Sequence, residues 1–219
     1  MEFDFNIIFE NVVYLLKGIG LTLEITGLAL ALGIALGLLM CLSKLSKHKA
    51  LSIPASAYIE FFRNTPVLIQ IIWLYYMLPM ISGLDMSPFV SCTTALGLGV
   101  AAYLADTFRA GIQWVDKGQI EAAYSLGLSH FQTMRKVILP QAVKVVIPPF
   151  INRVVGLLKA SSLVSVLGVA ELTYRATVIA DTSYRCIEIY TLLAIVYIVI
   201  LTGLSSLADF LDRRFAATL

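Results

Sequence analysis

Lys159, Ser161 and Ser162 lie close together in a stretch that is mainly apolar from Pro140 onward. An ammonium group can bind a carboxylate, and hydroxyl groups can bind an amino or amide group. At membrane depth an ionisable side chain costs at least about 2.5–3.5 kcal/mol, so it usually faces a cavity or a partner. We therefore expect these side chains to face a polar cavity, and they are candidates to line a path through the membrane. Alternatively, Lys159 pairs with a carboxylate of the helix bundle or caps carbonyl groups where its helix breaks.

A second polar group, formed by Arg63, Asn64 and Thr65, directly precedes Pro66. Proline lacks a backbone N–H, so it leaves a carbonyl group of the preceding turn free. Two roles stay open for these three side chains: contact with the solute, or stabilisation of a kink. Arg153 also interrupts the apolar stretch after Pro140, and we expect it to form bonds between helices.

The chain offers no catalytic set. His48 and His130 are the only histidines, and neither has a metal-binding partner at helical spacing. No Gly-x-x-x-x-Gly-Lys-[Ser/Thr] run occurs, so a phosphate-binding loop for ATP is missing. Cys41, Cys92 and Cys186 are odd in number and far apart, which predicts small core residues rather than disulfides or a zinc site. We therefore expect no enzyme, no metal and no cofactor; if ATP drives the protein, a partner chain binds it.

Long apolar segments must position these polar groups. Of the 219 residues, 59% are hydrophobic and only 14% are charged, and the mean hydropathy is +0.87. A soluble domain has about 25% charged residues, whereas a helix needs about 20 mainly apolar residues to cross a bilayer. The sequence predicts one all-α membrane domain over residues 1–219, with five transmembrane helices at about 20–43, 54–79, 86–108, 140–165 and 187–209.

Glycines, prolines and serines give further detail to the predicted spans. Gly33 and Gly37 are four residues apart in span one, and small residues at this spacing allow another helix to pack closely. Span two is expected to begin near Pro54, because proline suits the first turn of a helix. Pro140 is expected to end the preceding helix and to open span four. The serines after Ala160 are expected to loosen the end of span four by bonding to their own backbone.

The distribution of lysine and arginine predicts the orientation, because cytoplasmic loops of membrane proteins are enriched in these residues. If the basic loop after span one, the polar loop at about 112–139 and the carboxyl end share one side, that side holds ten of the sixteen: Lys44, Lys47, Lys49, Arg109, Lys117, Arg135, Lys136, Lys144, Arg213 and Arg214. The amino terminus is then outside and the carboxyl terminus cytoplasmic. The net charge of +2 is too weak to indicate a nucleic-acid partner.

The polar loop at about 112–139 is predicted to contain two short helices. The first fits residues 119–126 and is ended by Gly127, because glycine adopts the left-handed conformation most easily. The second begins at Ser129, which forms a capping box with Gln132 three residues later. The loop lies between apolar spans, so we expect it to contact another molecule in water.

The first loop helix has small side chains that favour close approach to a groove on a partner. Ala122 and Ala123 carry almost no side chain, and Glu121 supplies one charged contact. Together with the turn at Gly127 and the run that ends at Pro140, this pattern resembles the EAA loop of integral-membrane permease subunits of ATP-binding-cassette importers. The alternative is an ordinary cytosolic loop. The resemblance implies that six residues couple the chain to an ATPase subunit: Glu121, Ala122, Ala123, Gly127, Leu139 and Pro140.

Matches elsewhere narrow the resemblance to polar amino acid permeases of the histidine, glutamine and glutamate type. The run 63–66 is similar to that family's Arg-Gly-Thr-Pro, with Asn64 in place of glycine, and the run 159–163 is similar to its Lys-x-Thr-Ser-Leu. The resemblance covers nearly the whole chain and implies the type I importer permease fold with five spans. It also implies the bacterial cytoplasmic (inner) membrane and three kinds of protein partner: a second permease copy or paralogue, two cytoplasmic ATP-binding-cassette subunits, and an extracytoplasmic amino acid-binding protein.

Two other functional classes use similar residues. A secondary transporter driven by an ion gradient can employ buried charges, but the sequence lacks the paired, interrupted repeats typical of that class. A membrane-embedded enzyme requires a nucleophile or a metal set, which the sequence does not offer. The identity of the amino acid stays open, because the binding protein largely selects it, and so does the choice between a homodimeric and a heterodimeric permease pair.

Overall fold

The structure, a computed structural model, describes residues 6–216; the extreme ends of the chain, for which the sequence predicts opposite sides of the membrane, lie outside the described residues. Within this range every regular element is helical. Short irregular helical turns follow three of the helices: π-helical turns at Trp73–Met77 and Met134–Ile138, and a 3₁₀ turn at Ser161–Leu167. The helices, in chain order, are α1 (Asn6–Glu10), α2 (Val12–Leu45), α3 (Lys49–Asn64), α4 (Val67–Ile72), α5 (Leu78–Ser82), α6 (Pro88–Trp114), α7 (Lys117–Ser125), α8 (His130–Thr133), α9 (Leu139–Ala160), α10 (Leu172–Ser183) and α11 (Cys186–Ala216).

Several of these helical segments are long and apolar enough to cross a membrane. Four qualify alone, and a fifth is obtained when α3 and the helical segment Val67–Ser82 are counted as one bent span. The first, third, fourth and fifth predicted spans each fall on one long apolar helix. The four single segments are Val12–Leu45, Pro88–Trp114, His130–Leu167 and Cys186–Leu211.

The core is built on the contact between α2 and α6. Gly33 and Gly37, the predicted pair of small residues, allow these two helices to approach closely. A Cβ atom at Gly33 would lie 2.3 Å from Val100 Cγ1, and one at Gly37 would lie 3.1 Å from the carbonyl oxygen of Ala101. Ile25 belongs to the same core and is fully buried. The prediction that Gly33 and Gly37 serve close helix packing is therefore confirmed.

The predicted second span, at 54–79, contains a sharp break, because the helices on either side of Thr65 and Pro66 are bent by 109° relative to each other. Thr65 has an extended backbone, and Pro66 has no N–H to continue the helix. The buried side chain of Gln70 stabilises the break: its amide group donates to the carbonyl oxygens of Phe62 and Thr65 at 2.9 and 2.8 Å. One side chain thus replaces hydrogen bonds that the interrupted helix lost.

The two prolines that were expected to start a span differ: Pro140 lies in the first turn of α9, as predicted, whereas Pro54 does not start its helix. Pro54 is inside α3, which already begins at Lys49, so it does not start the helix. Pro140 does not end the preceding helix either, because helical structure runs from His130 to Leu167. The wide π-helical turn directly before Leu139 accounts for this, since it shifts the hydrogen-bonding pattern where proline would otherwise clash with a carbonyl group.

The connection after span four forms α10, which packs between the first halves of α2 and α11. Its N-cap residue, Glu171, is completely buried. One carboxylate oxygen accepts from the N–H of Tyr174 at 2.9 Å, and the other lies 3.3 Å from the hydroxyl of Thr22. Glu171 lies between two spans. Burial raises the pKa of its carboxyl group, and its hydrogen bonds offset only part of this increase.

Two of the three cysteines occupy the predicted environment. Cys41 and Cys92 are buried, whereas Cys186 is exposed at the start of α11. The prediction of a core position is therefore wrong for Cys186. Its position is explained by the chain turn at 183–186, which places the first residue of the last helix at the surface rather than inside the apolar block.

Candidate functional site

The polar loop at 112–139, called the docking loop below, is held by caps within its own sequence. The side chain of Asp116 accepts from the N–H of Gly118 at 2.8 Å and begins α7. Gly127 has the predicted left-handed backbone, with φ of 78°. Ser129 and Gln132 form the predicted capping box in both directions. The predicted conformation of Gly127 and the predicted capping box are therefore confirmed, and both arise from contacts only a few residues apart.

The two alanines of the docking loop do not share one face. Ala123 is 4% exposed and packs inside the loop, whereas Glu121 and Ala122 are exposed. Leu126 and Phe131 are large apolar side chains that are 82% and 72% exposed. The exposed side of the loop therefore combines a carboxylate, a small side chain and two apolar side chains, a mixture suited to a protein partner. The signal for this apolar surface in the sequence was the presence of two large apolar residues, Leu126 before Gly127 and Phe131 after it, in an otherwise polar loop.

The end of span four loosens as the two serines predict. The hydroxyl of Ser161 donates to the carbonyl oxygen of Leu158 at 2.7 Å, and that of Ser162 donates to the carbonyl oxygen of Lys159 at 2.8 Å. The α-helix becomes a 3₁₀ turn from Ser161 onward. The expected loosening is confirmed, but both hydroxyl hydrogens are engaged by the backbone. Ser161 is also fully buried, so of the two only the Ser162 oxygen is accessible, and it can only accept from a solute such as an amino or amide group.

Lys159 lies on an exposed side of α9 together with other polar residues. The exposed residues on this side are Asn152, Arg153, Gly156 and Lys159, which follow one another at spacings of one, three and three positions. Residues three or four positions apart share one face of a helix. Within the described residues, no carboxylate lies at ion-pairing distance from Lys159. The alternative in which Lys159 pairs with a carboxylate of its own bundle is thus not what the structure shows.

The residues before Pro66 form mainly local bonds. Arg63 is ion-paired with Asp106 of α6. Asn64 donates to Glu60 at 3.3 Å, and Thr65 donates to the carbonyl oxygen of Phe61 at 2.8 Å. Arg63, Asn64 and Thr65 therefore support the break in the span, which was one of the two roles that the sequence left open.

Asp106 is a shared partner that the sequence did not single out. Besides Arg63, it contacts Lys44 of α2 and Arg109 of its own helix, each at 3.2 Å. One carboxylate thereby holds cations from α2, α3 and α6 together. The signal available in the sequence was an acidic residue at the end of an uncharged span, but its partner Lys44 lies 62 positions away from it.

Two cavities lie beside α6 and α9. The first, called the membrane cavity, has a volume of about 220 Å³. The second, called the loop-side cavity, has a volume of about 320 Å³ and reaches Trp114 at the start of the docking loop. The membrane cavity is lined by Val67, Leu96, Gly99, Val100, Tyr103, Asn152, Arg153, Gly156, Leu157 and Ala160. The loop-side cavity is lined by Arg63, Tyr103, Asp106, Thr107, Ala110, Gly111, Trp114, Val145, Pro149 and Arg153.

Tyr103 and Arg153 line both cavities. The guanidinium carbon of Arg153 lies 4.7 Å from the centre of the Tyr103 ring, and that of Arg63 lies 5.9 Å from it. The expected inter-helix role of Arg153 is therefore observed, as a cation–π contact from α9 to α6. The structure brings Arg63 and Arg153 together around one aromatic ring, while Lys159 lines neither of these two cavities.

Comparisons with known proteins agree over nearly the whole chain. The family described as "Binding-protein-dependent transport system inner membrane component" matches residues 29–217. A probable amino-acid ABC transporter permease of Bacillus subtilis is 37% identical over 217 residues, which cover 98% of this chain and 96% of the relative. A probable glutamine ABC transporter permease of the same organism is 36% identical and covers 95% and 96% of the two chains.

Solved structures have the same fold. The crystal structure of an amino acid ABC transporter with histidines superposes with a TM-score of 0.91 and 39% identity, covering 98% of this chain and 100% of the other. An inward-facing structure of the MetNI methionine ABC transporter has a TM-score of 0.75, covers 94% of this chain and 98% of that one, and is only 20% identical, so it supports the fold alone.

Proposed function

Because this chain belongs to the family of binding-protein-dependent transport system inner membrane components, we propose that it lines the path for a polar amino acid in an ATP-driven importer. The chain is a permease subunit of an amino acid ABC importer, which its relatives and its structural neighbour support. The finer parts of the proposal are five spans, an outside amino terminus, a cytoplasmic carboxyl terminus, and a place in the bacterial cytoplasmic membrane.

The polar side of α9 carries this proposal. Asn152, Arg153 and Lys159 are exposed on a helix that is long and apolar enough to cross a membrane. Contact with lipid would cost several kcal/mol for the two cations, so this side must face water or another protein chain. A second permease copy or paralogue set against this side would enclose a polar path between the two subunits.

The residues proposed for the path are those singled out from the sequence. Lys159 supplies an ammonium group for the α-carboxylate of the amino acid. Ser162 supplies a hydroxyl oxygen that accepts from its amino group, and the buried Ser161 supports the turn that presents it. Arg63, Asn64 and Thr65 shape the path from the broken span, with Arg63 nearest to the loop-side cavity.

ATP hydrolysis is assigned to partner chains. This sequence has no phosphate-binding loop, and the docking loop exposes a mixed polar and apolar surface. We assign contact with one of the two ATP-binding-cassette subunits to Glu121, Ala122, Gly127, Leu139 and Pro140, with Ala123 as their internal support. An extracytoplasmic binding protein delivers the amino acid on the opposite side.

Reconstitution tests the proposal. The chain is placed in proteoliposomes with the ATPase and binding protein that accompany it, and uptake of labelled glutamine, glutamate, histidine and arginine is measured. We expect uptake only with ATP, the ATPase and the binding protein. Uptake that is driven by an ion gradient without the ATPase would instead identify a secondary transporter.

A further inference from the structure

Tyr103 and Arg153 form the wall that the two cavities share. Tyr103 lies in α6 and Arg153 in α9, and both line the membrane cavity and the loop-side cavity. The arginine side chain stacks on the ring with 4.7 Å between its guanidinium carbon and the ring centre. A solute that passes along α6 from one cavity to the other therefore meets this contact.

We propose that Arg153 and Tyr103 form an internal gate between the membrane cavity and the loop-side cavity, and that a solute carboxylate opens it by drawing the guanidinium group off the ring. The inference rests on the proposed transport function and adds a specific residue pair to it. The solute class is an α-amino acid whose carboxylate reaches Arg153 from the membrane cavity.

The two halves of the gate differ in how firmly they are held. The Tyr103 hydroxyl donates to the carbonyl oxygen of Arg63 at 3.3 Å, and Arg63 is ion-paired with Asp106. The ring is thereby tied to α3 at the broken span. Arg153 is exposed, so its side chain is the part that can move.

The Arg153 guanidinium group binds a carboxylate more strongly than it binds the Tyr103 ring, which favours opening of the gate by an anion. A cation–π contact at an accessible site is weak, whereas a guanidinium group binds a carboxylate through two parallel, charge-assisted hydrogen bonds. An arriving carboxylate therefore competes successfully with the ring for Arg153. Asn152, which also lines the membrane cavity, can contribute a further hydrogen bond to the same solute.

The backbone of α9 contains a place for the required movement. Pro148 and Pro149 lie inside this helix, about one turn before Arg153. Two consecutive prolines remove two backbone hydrogen bonds, to the carbonyl groups of Lys144 and Val145, and such sites are where helices bend. A bend at this position shifts Arg153 relative to Tyr103 while the ring stays tied to Arg63.

Labelling of single cysteines tests the gate in the reconstituted complex with its ATPase. Cys41, Cys92 and Cys186 are first replaced by alanine. Ala160→Cys then reports on the membrane cavity and Ala110→Cys on the loop-side cavity. An impermeant thiol reagent is added only on the side of the docking loop, and labelling rates are compared in backgrounds with Tyr103, Tyr103→Phe and Tyr103→Leu.

We expect the Ala110→Cys reporter to be labelled rapidly in all three backgrounds. The Ala160→Cys reporter should react slowly with Tyr103 or Tyr103→Phe, which both keep the ring, and roughly tenfold faster with Tyr103→Leu, equivalent to about 1.4 kcal/mol. Glutamine at saturating concentration should accelerate the same reporter in the Tyr103 background. Arg153→Gln, which leaves the ring in place, should raise the rate in the same way as Tyr103→Leu.

Two results would overturn the gate. The first is a labelling rate of the Ala160→Cys reporter that is the same with Tyr103 and with Tyr103→Leu, while Ala110→Cys is labelled normally. The second is an equal increase of the Ala160→Cys labelling rate by Tyr103→Phe and by Tyr103→Leu. ATP-dependent uptake by the Tyr103 complex is measured in the same vesicles. Absence of that uptake rejects the proposed function, whereas normal uptake with unchanged labelling rejects the gate alone.

Discussion

Gly33 of α2 lies against Val100 of α6 so closely that a methyl group at Gly33 would be 2.3 Å from Val100 Cγ1. Real Cβ atoms do not approach other heavy atoms at this distance, so any side chain at Gly33 must displace α6 or Val100. The same helix contains Gly27, which has no neighbouring atom within 4 Å of a Cβ position. The two glycines therefore separate the effect of packing from the effect of glycine in a helix.

Gly33→Leu should destabilise the protein by about 1–3 kcal/mol, because the added side chain overfills a close helix contact. Gly27→Leu should be neutral or slightly stabilising, since leucine is the better helix former and meets open space. The measurement is thermal unfolding of both variants in the same detergent. Equal melting temperatures for the two variants would argue against a tight contact between α2 and α6.

Predictions from the sequence succeeded where the cause was local. The left-handed Gly127, the capping box of Ser129 and the loosened turn after Ala160 each depend on residues within four positions. The apolar spans were also visible, because a bilayer demands long runs of one composition. Local chemistry and segment composition can both be read from a single sequence.

What the sequence left open has a different physical origin. The sequence allowed a kink before Pro66, but the 109° bend is stabilised by the more distant Gln70, and the helical structure that continues through Pro140 follows a wide turn just before it. Pro66 and Pro140 could each have ended a helix or been accommodated within one, and only the surrounding contacts decide between these two outcomes. The meeting of Tyr103 with Arg153, from helices far apart in sequence, required the packed structure.

Gly127→Asp should uncouple transport from ATP hydrolysis while the protein still inserts. A side chain at φ of 78° is strained, and the added carboxylate alters the exposed side of the docking loop. Gly83→Asp is the matched control, because Gly83 has a similar φ of 70° and lies outside the docking loop, between α5 and α6. We expect uptake to fall only for Gly127→Asp, measured per amount of complex in the membrane. A similar loss in both variants would mean that backbone strain, and not the loop surface, is responsible.

The orientation of the chain can be measured with single cysteines in a background that lacks Cys41, Cys92 and Cys186. Substitution of Lys47 or Lys117 by cysteine should place the thiol in the cytoplasm, shielded from an impermeant reagent in intact cells. Substitution of the exposed Asp181 should give a labelled thiol. The opposite pattern would reverse the topology and remove the docking loop from the cytoplasm.

Stability should depend on pH through Glu171. Burial raises the pKa of this carboxyl in the folded protein, so folding favours its protonated form. Its stabilising contribution is complete at low pH and is lost as the pH rises through the raised pKa. Glu171→Gln keeps an oxygen acceptor for the Tyr174 N–H but cannot ionise, so its melting temperature should fall less between pH 5 and about pH 8. The exposed Asp181→Asn is the control and should keep the wild-type difference; a wild-type difference in Glu171→Gln as well would contradict the assignment.

Lys159 should be required for transport rather than for assembly. An unbroken helix at about 1.5 Å per residue from Pro140 would put Lys159 roughly 28 Å along, near the far face of the membrane. Its neighbours Leu157 and Ala160, however, line the same cavity as Val100 near the middle of α6. The ammonium group is therefore attached at membrane depth, where an unpaired cation is expensive.

A solute carboxylate can supply the missing counter-charge, and one charge-assisted hydrogen bond is worth about 1.5–3 kcal/mol. Lys159→Ala should therefore lower the initial uptake rate several-fold or more, and Lys159→Arg should restore only part of it, because a planar guanidinium group differs in shape from a compact ammonium group. The exposed Lys17→Ala in α2 is the matched control and should transport normally. Uptake is normalised to assembled complex and measured beside basal ATPase activity. Normal uptake by Lys159→Ala would exclude a role in the path, whereas loss of assembled complex would make this lysine a structural contact with the second permease subunit.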